Sequence, residues 1–165
     1  MHFEIALMTK ADWPQVAEIY RQGIASGNAT FEQDVPSWER WLCNHITPCN
    51  LVAKYEDTVL GWVSLAPISG RCVFTGVAEV SIYLAKAYQG QGLGYALLTK
   101  EITVAEENGF WTLESGIFPE NKGSIELHKK CGFRIVGTRE RIGKMPGTNR
   151  WRDIILMERR SAILF

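Results

Sequence analysis

The sequence predicts a single domain of the α/β (α+β) kind, with a mixed, mostly antiparallel central sheet and helices on both faces. Three observations predict it. Apolar patterns of period 2 and period 3.6 alternate along the chain. Hairpin patterns occur towards both ends, which a doubly wound parallel sheet does not have. The 165 residues are enough for one substantial core, and no linker-like shift of composition divides them. The domain is assigned to 1–160 and a short tail to 161–165.

Phe3 to Leu7 alternates apolar and polar and reads as a first strand. Asp12 is placed to cap a helix that carries Pro14 in its first turn, where a missing N–H does no harm. Trp13, Val16, Ala17, Tyr20 and Ile24 make one face of that helix, and the small, polar run from Gly23 to Thr30 ends it. Phe31 and Glu32 follow in a loop. Ser37 caps a second helix, with Trp38, Trp41, Leu42 and His45 on one face and Pro48 as its stop. Leu51 to Tyr55 and Val59 to Ala66 form a hairpin, and Pro67 to Gly76 is an irregular loop carrying Arg71.

The strand from Ala78 to Leu84 sets Val80, Ile82 and Leu84 on one face and Glu79, Ser81 and Tyr83 on the other. Leu93, Leu97, Leu98, Ile102 and Ala105 give the next helix its core face, with Asn108-Gly109 as its stop. A strand over Trp111 to Phe118 precedes Asn121, which caps a short helix ending at Gly132. A strand over Phe133 to Gly137, a loop with Gly143, Pro146 and Gly147, and a last strand over Trp151 to Glu158 complete the chain. The basic run from Arg139 to Lys144 reads as part of that solvated loop.

Composition narrows the classes. The formal net charge is zero, so nothing draws the chain to nucleic acid or to a membrane surface. No apolar run reaches the roughly 18 residues of a spanning helix. The N-terminus lacks a basic segment followed by an apolar one, so it does not read as a signal peptide. The four cysteines show neither a C-x-x-C pair nor metal-ligand spacing with histidine, which predicts reduced thiols, no metal and a cytoplasmic protein. Most of the six tryptophans read as core.

The chemistry centres on Tyr88-Gln89-Gly90-Gln91-Gly92-Leu93-Gly94-Tyr95, between a strand and a helix. Glycines allow close backbone approach, and free N–H groups at a helix start face an anion. The P-loop spacing fails because no Lys-Ser or Lys-Thr follows. The dinucleotide spacing fails because Tyr95 or Leu97 stands where its third glycine is needed.

The pattern that remains, Q-G-x-G-x-G after a strand bearing a glutamate, resembles the acyl-CoA pyrophosphate loop of the GCN5-related N-acetyltransferase (GNAT) superfamily. Asn121 through Phe133 resembles that superfamily's later motif, with Ser124, Leu127, His128 and Gly132 in register. The chain is most similar to the phosphinothricin and methionine sulfoximine acetyltransferase branch. Ile19-Tyr20, Ala29-Thr30-Phe31-Glu32, Trp38 and Trp41, Ala78 to Leu84, Leu127-His128 and Arg150-Trp151-Arg152-Asp153 carry that likeness.

The resemblance implies acetyl-CoA as co-substrate. Its pantetheine arm would pair with the backbone of Ile82, Tyr83 and Leu84. Its pyrophosphate would rest on the N–H groups of Gln89, Gly90, Gln91, Gly92, Leu93 and Gly94. Asn121 and Ser124 would meet the arm. Lys130 would meet the nucleotide phosphate or stay a solvated surface charge. Glu79 is the implied general base, with a structural ion pair to Arg71 as the alternative. His128 stands where a thiolate-protonating tyrosine is common; it could donate that proton, bind the cofactor or only pack. Phe31, Glu32, Arg71 and Thr75 would flank the acceptor, with Arg71 on a substrate carboxylate. The implied reaction acetylates a small amino-acid analogue by direct attack, in a homodimer. A polyamine, an aminoglycoside or a protein N-terminus are the other acceptors, and a CoA-binding module without turnover is the non-enzyme alternative.

Overall fold

The structure is a computed structural model that describes residues 2–165. Seven strands form one sheet: β1 (Glu4–Leu7), β2 (Asn50–Tyr55), β3 (Thr58–Pro67), β4 (Val77–Leu84), β5 (Thr112–Ile117), β6 (Arg134–Lys144) and β7 (Trp151–Arg160). Their order is β1-β2-β3-β4-β5-β7-β6, and every neighbouring pair is antiparallel except β4–β5. Four helices complete it: α1 (Trp13–Ala25), α2 (Trp38–Asn44), α3 (Leu93–Glu107) and α4 (Lys122–Lys130). The mixed, mostly antiparallel sheet expected from the sequence is therefore present.

Helices cover both faces. The side chains expected on one face of α3, Leu93, Leu97, Leu98, Ile102 and Ala105, pack on Val63, Leu65, Ala78, Val80, Leu113 and Met157. Ile125 of α4 joins that layer. On the other face, Val16, Ile19 and Tyr20 of α1 and Trp41 of α2 pack on Val52, Val59 and Trp62. Trp41 and Trp62 meet edge to face with centroids 5.0 Å apart, so these two tryptophans are core, as expected.

Two local expectations are corrected. The segment from Arg139 to Lys144 is strand, not loop: β6 continues past Gly137 to Lys144 and pairs with β7 up to Lys144↔Trp151. Its residues are almost all exposed, so periodicity could not reveal it, and the pairing with β7 that defines it is non-local. Asp12 does not cap α1 with its side chain. Its carboxylate instead accepts from the Thr9 N–H and hydroxyl, each at 2.8 Å, and pairs with Lys54. Ser37 and Asn121 do cap, accepting from the Arg40 and Ser124 N–H groups at 3.2 Å.

Candidate active site

The site begins where β4 and β5 part. These parallel strands pair only over Val77↔Thr112, Ala78↔Leu113 and Glu79↔Glu114. Beyond that pair the β5-facing edge of β4, from Val80 to Leu84, has no strand partner. Unpaired backbone N–H and C=O groups on such an edge can receive an extended ligand. A groove of about 2230 Å³ runs along this opening. That is more than a drug-sized pocket, which is about 300–1,000 Å³, and suits two substrates at once.

One end of the groove meets the glycine turn. Gly90 and Gly92 have φ of +74° and +82°, values that a side chain would strain, and Gly92 is the N-cap of α3. The first N–H groups of this 15-residue helix are therefore open to an anion. Gln89, Gly90, Gly92 and Gly94 line the groove with Ile82, Tyr83 and Leu84. Leu93 turns its side chain into the core, and Gln91 donates to the Ala87 carbonyl at 3.2 Å, so any role of these two is through the backbone. Gln89 donates to the Leu84 carbonyl at 3.3 Å, tying the turn to the strand edge. The Tyr83 ring lies away from the edge, stacked on Trp62 at 4.7 Å, over Gly23, where a Cβ would clash at 2.5 Å.

The opposite wall is α4. Asn121, Ser124, His128 and Lys130 all line the groove. The Asn121 carbonyl caps the helix, and its amide donates to the Asn28 carbonyl at 3.2 Å, so this residue joins α4 to the loop after α1. His128 is buried, and its Nδ1 lies 2.7 Å from the Ser124 carbonyl oxygen. A carbonyl only accepts, so Nδ1 carries the proton. Nε2 has no partner among the described residues, and burial lowers the imidazole pKa. The ring is thus neutral and offers Nε2 as an acceptor.

The other end is built on the sheet. Glu79, Glu114, Gly116, Ile154, Leu156 and Arg139 line it, with Phe31 and Glu32 above. Phe31 meets Phe118 edge to face at 5.0 Å and lies against Gly143, where a Cβ would stand 2.6 Å from the ring. The loop that carries Phe31 is held by Arg152, a buried guanidinium. It donates to the Gly27 carbonyl at 2.8 Å, the Asn28 side chain at 3.0 Å and Glu120 at 3.2 Å. Glu79 stays exposed at the open groove, but partial desolvation by the surrounding walls raises its pKa, the charge of Glu114 raises it further, and Arg139 pulls it back in part.

Most of the residues expected at the site meet at this groove. Arg71 and Thr75 do not: they flank the short turn Cys72–Phe74, and Arg71 lies over the Phe74 ring at 5.6 Å. Among the described residues Arg71 makes no ion pair with Glu79, which removes that alternative. Sequence reasoning missed Glu114, Arg139 and Arg152. The strand period could have shown Glu114 at an outward position of β5; Arg152 stood in a segment that carried the family likeness but without a role, and nothing local marked Arg139.

Strand edge, glycine turn and flanking helix are the parts from which an acyl-CoA-dependent transferase is made. The sequence profile of the acetyltransferase (GNAT) family matches residues 13–133, and the chain belongs to that family. It is an acetyl-CoA-dependent N-acetyltransferase. It is 29% identical to the L-methionine sulfoximine/L-methionine sulfone acetyltransferase of Pseudomonas aeruginosa, over 90% of this chain and 88% of that protein. A phosphinothricin acetyltransferase from Sinorhizobium meliloti, solved with acetyl-CoA, superposes with a TM-score of 0.86 at 29% identity, covering 97% of this chain and 89% of that one. The ribosomal-protein-alanine N-acetyltransferase of Brucella melitensis superposes with a TM-score of 0.87 at 31% identity, covering 96% and 99%. The groove residues fit acetyl-CoA: the glycine N–H groups suit its pyrophosphate and the open β4 edge its amide-bearing arm. Among the described residues no cluster of three His, Cys, Asp or Glu could hold a metal ion, and no helix is long and apolar enough to cross a membrane.

Proposed function

We propose that this enzyme acetylates the primary α-amino group of a small amino-acid analogue of the methionine sulfoximine or phosphinothricin type. The observation that carries the reading is the Glu79–Glu114 pair at the mouth of the strand opening, over Ile154 and Leu156 and beneath Phe31. Such a pocket offers carboxylates to an ammonium group and apolar walls to a short side chain.

Glu79 takes a proton from the ammonium, directly or through water, and the freed amine attacks the thioester carbonyl. Backbone N–H groups on the β4 edge are available to the developing oxyanion. The carbon–sulfur bond then breaks, and the thiolate receives the proton that the attacking nitrogen must lose. His128 can supply that proton only after gaining one on Nε2. Direct attack is supported by the thiols: none of the four cysteines lines the groove, and burial with the nearby Glu101 pushes Cys49 up to about 12.

A polyamine acceptor is the second reading, favoured by Glu32, Glu79 and Glu114 facing one groove. The homodimer implied by family likeness has a suitable surface. Val73, Phe74, Trp111 and Phe165 are exposed around one shallow apolar hollow, beside Arg71 and Thr75. Four free thiols support a reducing, cytoplasmic setting.

The test is release of CoA thiol from acetyl-CoA with methionine sulfoximine, phosphinothricin, ordinary amino acids, spermidine and a short peptide. Turnover of the first two supports the reading. Turnover of spermidine or peptide alone overturns the acceptor and leaves the cofactor site standing.

A further inference from the structure

Arg139 lies in the strand that the sequence had concealed, and the register fixes which way it faces. It pairs with Ile154 of β7, and Leu156, two residues along the same strand, pairs with Gly116 of β5. Gly116 is two residues from Glu114, which pairs with Glu79. Alternation therefore sets Arg139, Ile154, Leu156, Gly116, Glu114 and Glu79 on one face of the sheet. All of them line the acceptor end of the groove.

Five arginines of β6, β7 and the turn between them are paired: Arg134 and Arg160 with Glu158, Arg150 and Arg152 with Glu120, and Arg159 with Glu106; Arg141 bonds Asp153 only through its backbone N–H and does not line the groove. Arg139 enters no salt bridge and no side-chain hydrogen bond among the described residues. Its charge offsets only part of the combined effect of partial desolvation and Glu114 on Glu79, so it is not a tight counter-ion of that carboxylate. Its guanidinium fork remains free for an anion from solution.

We propose that Arg139 binds the carboxylate of the acceptor and makes the pocket selective for α-amino acids over other amines. The inference rests on the amino-acid reading above and assigns to Arg139 the contact that family likeness had given to Arg71. Glu79 and Glu114 face the ammonium and Arg139 faces the carboxylate, so both charges of a zwitterion meet their opposites. A planar guanidinium can grip a carboxylate through two parallel hydrogen bonds, which an amide or a bare amine cannot reproduce.

The experiment compares methionine sulfone, its carboxamide and 3-(methylsulfonyl)propylamine as acceptors for the wild type, Arg139→Met and Arg139→Lys. The wild type should favour methionine sulfone over the other two by about 10- to 100-fold in kcat/KM. Arg139→Met should raise the KM for methionine sulfone by about the same factor, with the KM for the other two acceptors and for acetyl-CoA little changed when all are compared at a pH above the acid limb of both proteins. Arg139→Lys should recover part of the loss. In Arg139→Met the acid limb of the pH profile should also move to higher pH, because Glu79 loses a cation. A wild type that favours methionine sulfone, with an Arg139→Met variant that keeps the preference, overturns the Arg139 assignment alone. A wild type without that preference, or without turnover of any of the three, overturns the amino-acid reading and this inference with it.

Discussion

Glu79 and Glu114 face each other across β4 and β5 as the last paired residues before the strands diverge. Two carboxylates at adjacent register positions repel when both are ionised. That repulsion adds to partial desolvation in holding the Glu79 pKa above its ordinary value. Glu114→Gln removes the repulsion and leaves the partial desolvation. The acid limb of kcat/KM should therefore move to lower pH, and the measurement is the pH profile of thiol release for both proteins. A limb that stays in place would separate Glu114 from the proton chemistry.

His128 gives a prediction of opposite kind. Its neutral ring presents an acceptor, and its pKa is lowered by burial. An acid with such a pKa would be largely deprotonated by pH 6.5, so activity would fall with rising pH already below that value. The geometry predicts no such fall: His128→Gln should lower kcat by less than about 10-fold and leave the shape of the profile intact. A descending limb below pH 6.5, lost in the variant, would restore the acid role.

Gly92 tests the cofactor turn. It caps α3 at φ +82°, and nothing lies within 4 Å of the place a Cβ would occupy. The cost of Gly92→Ala is therefore conformational, roughly 1–2 kcal/mol, and any relaxation of the turn would move N–H groups away from the pyrophosphate. The KM for acetyl-CoA should rise by about 10-fold while the KM for the amine changes little. Equal effects on both would contradict the assignment of this turn to the cofactor.

Much of the site was legible in the sequence because its signals are local. Glycines between a strand and a helix, Asn121 at a cap and Glu79 on the outward face of a strand need only neighbouring residues to be read. Even the His128 tautomer had a local cue, since Ser124 lies four residues back, one helical turn away. β6 was hidden for a physical reason. It is exposed along nearly its whole length and holds its shape by pairing with β7, so neither burial nor periodicity marks it. Arg139 was lost with it, read as one more charge in a basic run. Arg152 was visible only as part of a segment that carried the family likeness, and its role stayed hidden because a buried arginine is explained by partners up to 125 positions distant. The parting of β4 from β5, which creates the groove, is a property of the sheet and of no single segment.

Glu101 predicts how stability varies with pH. It lies fully buried on α3, neither carboxylate oxygen has a partner among the described residues, and burial pushes its pKa up to about 9. The unfolded chain releases this proton from about pH 4.5, while the folded protein keeps it to about 9. Between those values the unfolded state binds fewer protons, so stability falls as pH rises. Glu101→Gln removes that slope. The melting temperature of the variant relative to wild type should climb by several degrees between pH 5 and pH 8.5. A constant difference would show that the carboxyl is not held protonated.

In the proposed mechanism Glu79 takes the proton of an amino-acid ammonium beside the thioester. The most direct measurement is kcat/KM for methionine sulfoximine in wild type and Glu79→Gln across pH 6 to 9, followed by thiol release. A base at Glu79 gives a loss on the order of 10²-fold at neutral pH in the variant, largest at low pH and shrinking as the amine deprotonates in solution. A variant that retains wild-type activity at pH 6 would contradict it.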